Sequence, residues 1–207
     1  MTTASSPVGR RERNKQEKLD RIMDAARELF AQHGVDEVTT QQIAEKADIG
    51  AGTLFLYAKT KGELLLLVQN DAYAKALDQG REDAALEAGA VEAVLAITSP
   101  IVACNRAQID NGRTYLREML FGDPTEPARR EALEIVARTE EAVATTLQRT
   151  AGLEDVRAAT TARIISAAMY VSMASSLNVE AGVDQIIDEI AQQIRVLLAP
   201  ATDGGAF

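Results

Sequence analysis

Apolar residues recur at helical spacing along most of the chain, and the first such series marks one face of a helix. The series stops at His33-Gly34, where Gly34 is predicted to close the helix as a left-handed cap. Its members recur at helical spacing and so share one side of the helix: Leu19, Ile22, Met23, Ala26, Leu29 and Phe30.

Two shorter helices are predicted directly after the first one. Thr39-Thr40 followed by Gln42 is typical of a capping box, which starts a short helix. Asp48-Ile49-Gly50 breaks that helix, with Ile49 as the apolar plug of the turn, and a third helix is predicted over 51–57. Two short helices joined by a three-residue turn with Gly match the helix-turn-helix, whose second helix enters the major groove of DNA. Other helical hairpins share this spacing.

The remaining apolar series predict a larger helical part. A fourth helix starts at Lys61 and ends near Gly80, and further helices are predicted over 90–107 with a kink at Pro100, 113–121, 127–151, 156–178 and 183–198. Four Phe, four Tyr and no Trp among many helix formers favour helices over sheets. The predicted fold class is all-α with about nine helices, an N-terminal three-helix helix-turn-helix domain and a C-terminal helical domain.

The predicted domain organisation has four segments. Residues 1–18 are expected to be a flexible basic arm and residues 200–207 a disordered tail. Residues 19–62 form the helix-turn-helix domain, and residues 63–199 form the helical ligand-binding and dimerisation domain.

Charge is distributed unevenly between these parts. The chain carries a net charge of -9, yet residues 1–62 hold ten Lys and Arg against nine Asp and Glu, and the rest holds twelve against twenty-two. Five of the six lysines lie in the first 61 residues. A slightly basic small domain on an acidic larger one indicates that the small domain faces an anion.

The single cysteine and the single histidine exclude several classes of site. Cys104 alone forms neither an intramolecular disulfide nor a thiolate zinc site, and His33 alone provides no histidine pair for a metal. No run of about 18 uncharged apolar residues predicts a membrane span. We therefore expect a cytoplasmic protein without a cofactor or metal. No nucleotide-binding loop or nucleophile motif is present either, so we expect no enzyme.

The segment from Ile22 to Leu67 resembles the N-terminal DNA-binding domain of the TetR/AcrR family of transcriptional regulators. The resemblance lies in Ala25-Ala26, Leu29-Phe30, His33-Gly34, Thr39-Thr40, Ile43-Ala44, Gly52-Thr53-Leu54-Phe55-Leu56-Tyr57 and Lys59-Thr60-Lys61-Gly62-Glu63-Leu64-Leu65. It covers about a quarter of the chain. It implies an all-helical homodimer that binds palindromic operators and is released from them by a small ligand of the C-terminal domain.

The resemblance also implies which residues contact DNA. Thr40, Tyr57 and Lys61 match the phosphate-contacting positions, and Gln41, Ala51, Gly52, Thr53 and Phe55 match positions that reach base edges, with Leu56 also facing outward. The recognition helix carries no Arg, Lys, Asn or Gln, so bidentate base contacts cannot come from it. We expect specificity to depend on DNA shape and on the arm with Arg10, Arg11 and Arg13. A solubilising arm, end capping by Thr40 and Lys61, and packing of Tyr57 remain alternatives.

The C-terminal domain offers candidates for an effector site. An apolar pocket with an adaptable methionine lining is predicted from Cys104, Tyr115, Met119, Phe121, Met169, Tyr170 and Met173. No Arg or Asp cluster in these helices singles out a charge on the ligand. Core packing is the alternative for each candidate, and a redox role of Cys104 would need a lowered thiol pKa.

Dimerisation is predicted through the last two helices. The final helix has an apolar stripe, and the helix before it has small residues that permit close approach. The predicted contact residues are Ala162, Ser166, Ser172, Ile187, Ile190 and Ile194. The alternative is that both helix faces pack in the core of the single chain.

The sequence therefore predicts a DNA-binding transcriptional regulator. It is expected to be a homodimeric repressor, released from a palindromic double-stranded operator by a small and largely apolar effector. The alternative is a helical ligand- or protein-binding module with weak or lost DNA recognition.

Overall fold

The computed structural model describes residues 9–199, and within that range the chain forms nine α-helices and one 3-10 turn. The first three helices and the start of the fourth form a small head, and the others form a larger body. The helices are α1 (Arg10–His33), α2 (Thr40–Lys46), α3 (Ala51–Leu54), α4 (Lys61–Leu86), α5 (Ala90–Arg106), α6 (Ile109–Phe121), α7 (Pro127–Ala151), α8 (Asp155–Ala174) and α9 (Val183–Leu198), with the 3-10 turn at Ser176–Asn178. The all-α prediction is confirmed.

The head is built around a small apolar core. Phe30 of α1, Ile43 of α2 and Leu54 of α3 are fully buried together. Burying an aliphatic or aromatic side chain of this size contributes about 1.5–3 kcal/mol. The capping box at the start of α2 is present: Thr39 Oγ1 accepts from the Gln42 N–H at 3.2 Å, and Gln42 Oε1 accepts from the Thr39 N–H at 2.8 Å.

The basic segment before position 19 is helical, which corrects the prediction of a flexible arm over its described part. α1 begins at Arg10. No Gly or Pro interrupts residues 10–33, and extending an existing helix adds one hydrogen bond per residue, so α1 continues beyond its buried face. The predictions for residues 1–8 and for the tail at 200–207 lie outside the described residues.

Gly34 ends α1, but not as the left-handed cap that the sequence predicts. Its φ is 79° and its ψ is 154°, so the chain leaves the helix in an extended direction. A Cβ atom at this position would lie 2.7 Å from Nε2 of Gln108, which precedes α6. Glycine is therefore favoured here for two reasons: it adopts the positive φ without strain, and it leaves room for the Gln108 side chain of the body.

Several helix bounds in the body differ from the predicted ones. α6 begins at Ile109, four residues earlier than predicted, because Gln108 Oε1 accepts from the Asn111 N–H at 2.7 Å and caps the helix. Pro100 lies inside α5 without ending it, and α8 stops at Ala174. None of the helices in residues 9–199 is by itself long and apolar enough to cross a membrane; α5 and α6 meet that test only as a pair, bent by 111°.

α4 runs past Gly80, where the sequence predicts its end, because this glycine packs against α5. A Cβ atom on Gly80 would lie 2.7 Å from the backbone oxygen of Ala96 and 2.8 Å from Cα of Ile97. The missing side chain lets the two helices approach closely. α4 also contacts α1, α6 and α7, so it connects the head to most of the body.

We predict that Gly80→Ala destabilises the protein even though Ala is the better helix former. The added Cβ would clash with backbone atoms of α5, which cannot move away as a flexible side chain can. Overpacking of this kind costs about 1–3 kcal/mol. The free energy of unfolding from urea titration measures the effect. Gly52→Ala is the matched control, because nothing lies within 4 Å of a Cβ at that helical glycine. Equal stability of the two variants would contradict the prediction.

Candidate DNA interface and effector site

The turn between α2 and α3 has the tight geometry of a helix-turn-helix. The Ile49 N–H donates to the Ala44 oxygen at 3.0 Å, and Ile49 packs against the core as the predicted plug. The left-handed residue of the turn is Asp48, with φ 53°, while Gly50 has φ -70°. Aspartate is among the few residues that tolerate this conformation.

The sequence predicts the third helix over 51–57, but α3 ends at Leu54 and residues 55–57 form a turn. The outward surface of α3 and of this turn is largely apolar. Phe55 is 52% exposed and Leu56 is 83% exposed, whereas Leu54 between the helices is buried. Ala51, Gly52 and Thr53 also reach the surface in part. Gln41 is exposed on α2, where its Nε2 donates to Glu45 Oε1 at 2.8 Å. The predicted base-reading residues thus all reach the surface of the head, fully or in part.

A basic groove lies beside this surface. It has a volume of about 960 Å³, and its lining includes Arg10, Arg11, Lys15, Lys18, Leu56 and Tyr57. The Tyr57 hydroxyl donates to the backbone oxygen of Lys15 at 3.4 Å, so the end of the recognition segment is tied to α1. The structure brings the predicted Arg10, Arg11 and Tyr57 together and adds two lysines. Arg13 is not part of this lining.

The other two predicted phosphate contacts have different surroundings. Thr40 opens α2 and is partly exposed. Lys61 instead holds the α1–α2 turn, because its Nζ donates to the backbone oxygens of Val35 at 2.9 Å and Asp36 at 3.1 Å. A phosphate would have to compete with these two carbonyl groups for Lys61.

Asn111 of α6 is a buried contact between the body and the head. Its Oδ1 accepts from the Val35 N–H at 2.7 Å, and its Nδ2 donates to the Phe30 oxygen at 2.8 Å. Both backbone groups belong to the region where α1 ends and turns towards α2. Asn111 therefore ties α6 to the head, and it is a residue that the sequence patterns did not single out.

A charged cluster joins the start of α4 to the segment between α6 and α7. Lys59 pairs with Glu126, and Glu63 accepts from the Lys59 N–H at 2.7 Å. The hydrogen bond from Lys59 lowers the pKa of Glu126, whereas burial raises the pKa of Glu63. Lys59 is largely exposed, so we expect this ion pair to add little stability compared with Asn111.

The centre of the body contains a buried polar network that joins three helices, α4, α5 and α6. The rings of Tyr73 and Tyr115 stack with centroids 4.4 Å apart. Asn105 Nδ2 donates to the Tyr73 hydroxyl at 2.7 Å, and the Tyr115 hydroxyl donates to Asn70 Oδ1 at 2.9 Å. Burial raises the pKa of both tyrosines, so the hydroxyl groups remain protonated. Of these residues, only Tyr115 is among the predicted effector contacts.

The predicted effector residues are only partly brought together. Tyr115, Met119, Met169 and Met173 are buried in the core, and Cys104 and Tyr170 pack against it. Phe121 is 82% exposed at the end of α6, which places it at the surface. Burial raises the pKa of the Cys104 thiol to about 11, so the thiol is protonated at neutral pH and lacks the lowered pKa of a redox sensor.

Cys104 also lines a cavity of about 230 Å³ between α1, α4 and the α5–α6 connection. Its lining is mostly apolar, with Phe30, Leu65 and Val68 among the contributors, and it includes Asn111. A molecule bound there would touch the side chain that holds the head. The cavity is small compared with the usual volume of ligand pockets, about 300–1,000 Å³.

Most of the residues predicted as dimer contacts lie inside the single chain. Ala162, Ser166, Ser172, Ile190 and Ile194 are buried inside the single chain, and Ile187 is partly buried. They pack α8 and α9 against each other and against α5. The apolar stripe of α9 correctly predicts a buried face, but the partner of that face is the chain itself. Large apolar residues that remain exposed on these two helices are Val156, Ile164, Val171 and Val196.

Comparison with known proteins agrees with this architecture. The sequence model of the bacterial regulatory proteins of the tetR family matches residues 22–68. The chain is 29% identical over 87 residues to the fatty acid metabolism regulator protein of Bacillus subtilis (strain 168), an alignment that covers 42% of this chain and 45% of that protein.

Solved structures extend the likeness to the whole fold. Thermus thermophilus FadR, a TetR-family repressor solved in complex with lauroyl-CoA, has a TM-score of 0.67 at 22% identity and covers 90% of this chain and 100% of its own. Bacillus subtilis FadR in complex with stearoyl-CoA has a TM-score of 0.63 at 18% identity. The alignment covers 87% of this chain and 97% of that one. A TetR transcriptional regulator from Rhodococcus sp. RHA1 has a TM-score of 0.66 at 17% identity. The alignment covers 91% of this chain and 100% of that one.

The described chain thus has an all-helical fold with an N-terminal helix-turn-helix. Residues 22–68 match the model of the tetR family of bacterial regulatory proteins.

We predict that Asn111→Ala lowers the free energy of unfolding. The substitution leaves the Val35 N–H without its buried partner, and one unsatisfied group of this kind costs about 1–3 kcal/mol. The Phe30 oxygen loses one of its two donors and keeps the Gly34 N–H. Thermal or urea unfolding measures the loss. The control is Asn14→Ala on the exposed part of α1, which should change stability by less than about 0.5 kcal/mol. Equal effects at both positions would show that the α6 contact is dispensable.

Proposed function

We propose that this protein is a DNA-binding transcriptional regulator, acting as a cytoplasmic homodimer whose operator affinity is lowered by an effector of the helical body. The observation that carries the proposal is the joint surface of α3 and the basic groove. There the exposed Phe55 and Leu56 adjoin Arg10, Arg11, Lys15 and Lys18. An apolar reading surface flanked by cations fits the major groove and its phosphates.

The proposed reading of DNA relies on few base contacts. Thr53 can hydrogen-bond to a base, Phe55 suits thymine methyl groups, and Gln41 is the amide that could read adenine. Because the start of α1 is helical, its basic residues have fixed positions on one face. From these positions they would contact successive phosphates of the DNA backbone. Two heads of a dimer would read half-sites about 34 to 36 Å apart.

The proposed route from effector to DNA passes through α6. This helix holds the α1–α2 turn through Asn111, and Lys61 of α4 holds the same turn through Val35 and Asp36. An effector that favours a different position of α6 or α4 would change the spacing of the two heads. Operator affinity would then fall by the difference in effector affinity between the two states.

For the effector class we propose an acyl-CoA thioester. The solved relatives named above hold lauroyl-CoA and stearoyl-CoA. Met119, Met169 and Met173 of this chain lie together in the body core on α6 and α8, and methionine can rearrange around an acyl chain.

For the dimer interface we propose the exposed apolar face of α8. Ile164 and Val171 are seven residues apart and lie on the same side of the helix. Val196 is exposed on α9, which packs beside α8. Burying such residues against a second copy removes apolar surface from water.

The test of the regulator is selection of bound fragments from the source genome by the purified protein, followed by titration of the best fragment. Recovery of a palindrome would support the proposal. No enrichment over random DNA by a folded, dimeric protein stripped of ligand by denaturation and refolding would favour the alternative. That alternative is a helical ligand- or protein-binding module with weak or lost DNA recognition.

We predict that Lys15→Gln together with Lys18→Gln weakens binding to all DNA sequences and lowers the salt dependence. Each lost phosphate contact should reduce the slope of log K against log salt by about 0.9. Fluorescence anisotropy at several salt concentrations measures the slope. Lys75→Gln on the exposed side of α4 is the control and should leave the slope unchanged. An unchanged slope in the double variant would show that these lysines of α1 do not contact the DNA phosphates.

We also predict that Ile164→Asp with Val171→Asp shifts the protein from dimer to monomer. Each substitution places a charge where the proposed interface excludes water. Analytical ultracentrifugation measures the change, and circular dichroism checks that the helices remain. Leu86→Asp, at an exposed leucine of α4, is the control. A double variant that stays dimeric would place the interface elsewhere.

A further inference from the structure

The cavity between the head and the body is lined in part by a side chain with an unsatisfied polar atom. Gln69 of α4 lines this cavity, which has a volume of about 230 Å³, together with Cys104 of α5. The Oε1 atom of Gln69 is buried, and it has no hydrogen-bond donor in residues 9–199. Because a buried amide oxygen without a donor is unfavourable, Gln69 favours an occupant of the cavity that donates a hydrogen bond.

The rest of the cavity lining favours a neutral occupant. Two helices supply most of its apolar surface: Phe30 and Ala31 of α1, and Leu65, Val68 and Ala72 of α4. Cys104 adds a neutral thiol, since burial raises its pKa to about 11. Arg27 also lines the cavity, but its side chain is 47% exposed and pairs with Asp24 at 2.6 Å. A charged molecule would therefore lose its hydration in this cavity without gaining a free counter-charge.

The volume of the cavity limits the size of the occupant. Pockets for drug-sized ligands have volumes of about 300–1,000 Å³. An apolar cavity of about 150 Å³ is large enough to bind benzene. The cavity beside Gln69, with about 230 Å³, therefore fits a molecule with a single ring.

We propose that this cavity binds a small neutral molecule that has one apolar ring and one O–H or N–H donor, and that the donor bonds to Gln69 Oε1. This would be a second ligand site, separate from the proposed acyl site. In the described chain, Met119, Met169 and Met173 do not line the cavity. The inference thus goes beyond the proposed function and does not depend on an acyl-CoA effector.

A ligand in this cavity would contact both the head and the body. Phe30 belongs to the head, whereas Gln69 and Asn111 belong to the helices on which the head rests. Asn111 also bonds to the Val35 N–H and to the Phe30 oxygen. Since a ligand shifts an equilibrium towards the arrangement that it fits, an occupant would stabilise the position of the head in this structure. The site would therefore act on the junction that the proposed effector has to change.

The test uses phenol and toluene as probes of the full-length protein, because they have nearly the same shape and only phenol can donate a hydrogen bond. Cys104 is the single cysteine of the chain and is partly exposed, so its rate of alkylation by N-ethylmaleimide reports whether the cavity is filled. At about ten times its dissociation constant, phenol should slow the alkylation about tenfold, because only the empty state reacts. In urea-unfolded protein, phenol should leave the rate unchanged.

Two variants separate the role of the hydrogen-bond acceptor from the role of the space. Gln69→Leu retains the approximate size of the side chain and removes the acceptor. Phenol should then bind at least about fivefold more weakly, whereas toluene should bind no more weakly than before. Because Gln69 Oε1 is unsatisfied, the melting temperature without ligand should not fall.

The second variant, Ala72→Phe, fills the cavity from an exposed position and should abolish protection of Cys104 by both probes. Ala85→Phe is the matched control, because Ala85 is an exposed alanine of the same helix outside this cavity. This control should bind both probes as the wild type does. Circular dichroism checks that all variants remain helical.

Three results would overturn the proposal. The first is that neither probe slows the alkylation of Cys104 in the folded wild type, which would indicate that water alone fills the cavity. The second is that Gln69→Leu leaves the affinity for phenol unchanged or weakens both probes equally, since the acceptor would then not select the ligand. The third is protection that persists in Ala72→Phe, which would place the bound probe elsewhere. None of these measurements involves DNA, so the proposed regulator function is tested separately by the selection of genomic fragments.

Discussion

The position of the head on the body depends on how the backbone at the end of α1 is satisfied. The Val35 N–H donates to Asn111 of α6, and the Phe30 oxygen accepts from Asn111 as well as from the Gly34 N–H. Lys61 donates to the carbonyl groups of Val35 and Asp36. Buried backbone groups must be paired, so the head cannot rotate on the body without exchanging these bonds. This constraint makes α6 the element through which a change in the body would reach α3.

The helical character of the N-terminal basic segment changes how it would meet DNA. An extended arm can enter the minor groove, whereas a helix rises only about 1.5 Å per residue and repeats its faces every three to four residues. Arg11, Lys15 and Lys18 therefore share one side of α1 and open onto the same groove as Tyr57. This arrangement favours a fixed series of phosphate contacts beside a recognition surface that has few polar side chains of its own.

The last two helices show why an apolar stripe does not identify its partner. The stripe with Ile190 and Ile194 is buried, as its periodicity requires, but α5 and α8 of the same chain cover it. Ser172 is buried as well because it donates to Glu189 of α9 at 2.9 Å. The α8 face with Ile164 and Val171 has no such regular apolar stripe. Only the folded structure shows that these two residues are exposed.

Local sequence signals determined the helices, the capping box at Thr39, the turn at Asp48-Ile49-Gly50 and the match of residues 22–68 to the tetR family, because each depends on neighbours along the chain. Tertiary structure alone decided the roles of Asn111 and Arg106. Their segment, 105–113, is rich in polar residues and spans the end of α5 and the start of α6. This composition marks the segment as unusual without identifying its partners. Asn111 binds residues 76 and 81 positions away, and Arg106 binds carbonyl groups 72 to 75 positions away. Contacts at such separations follow from packing, which no local pattern encodes.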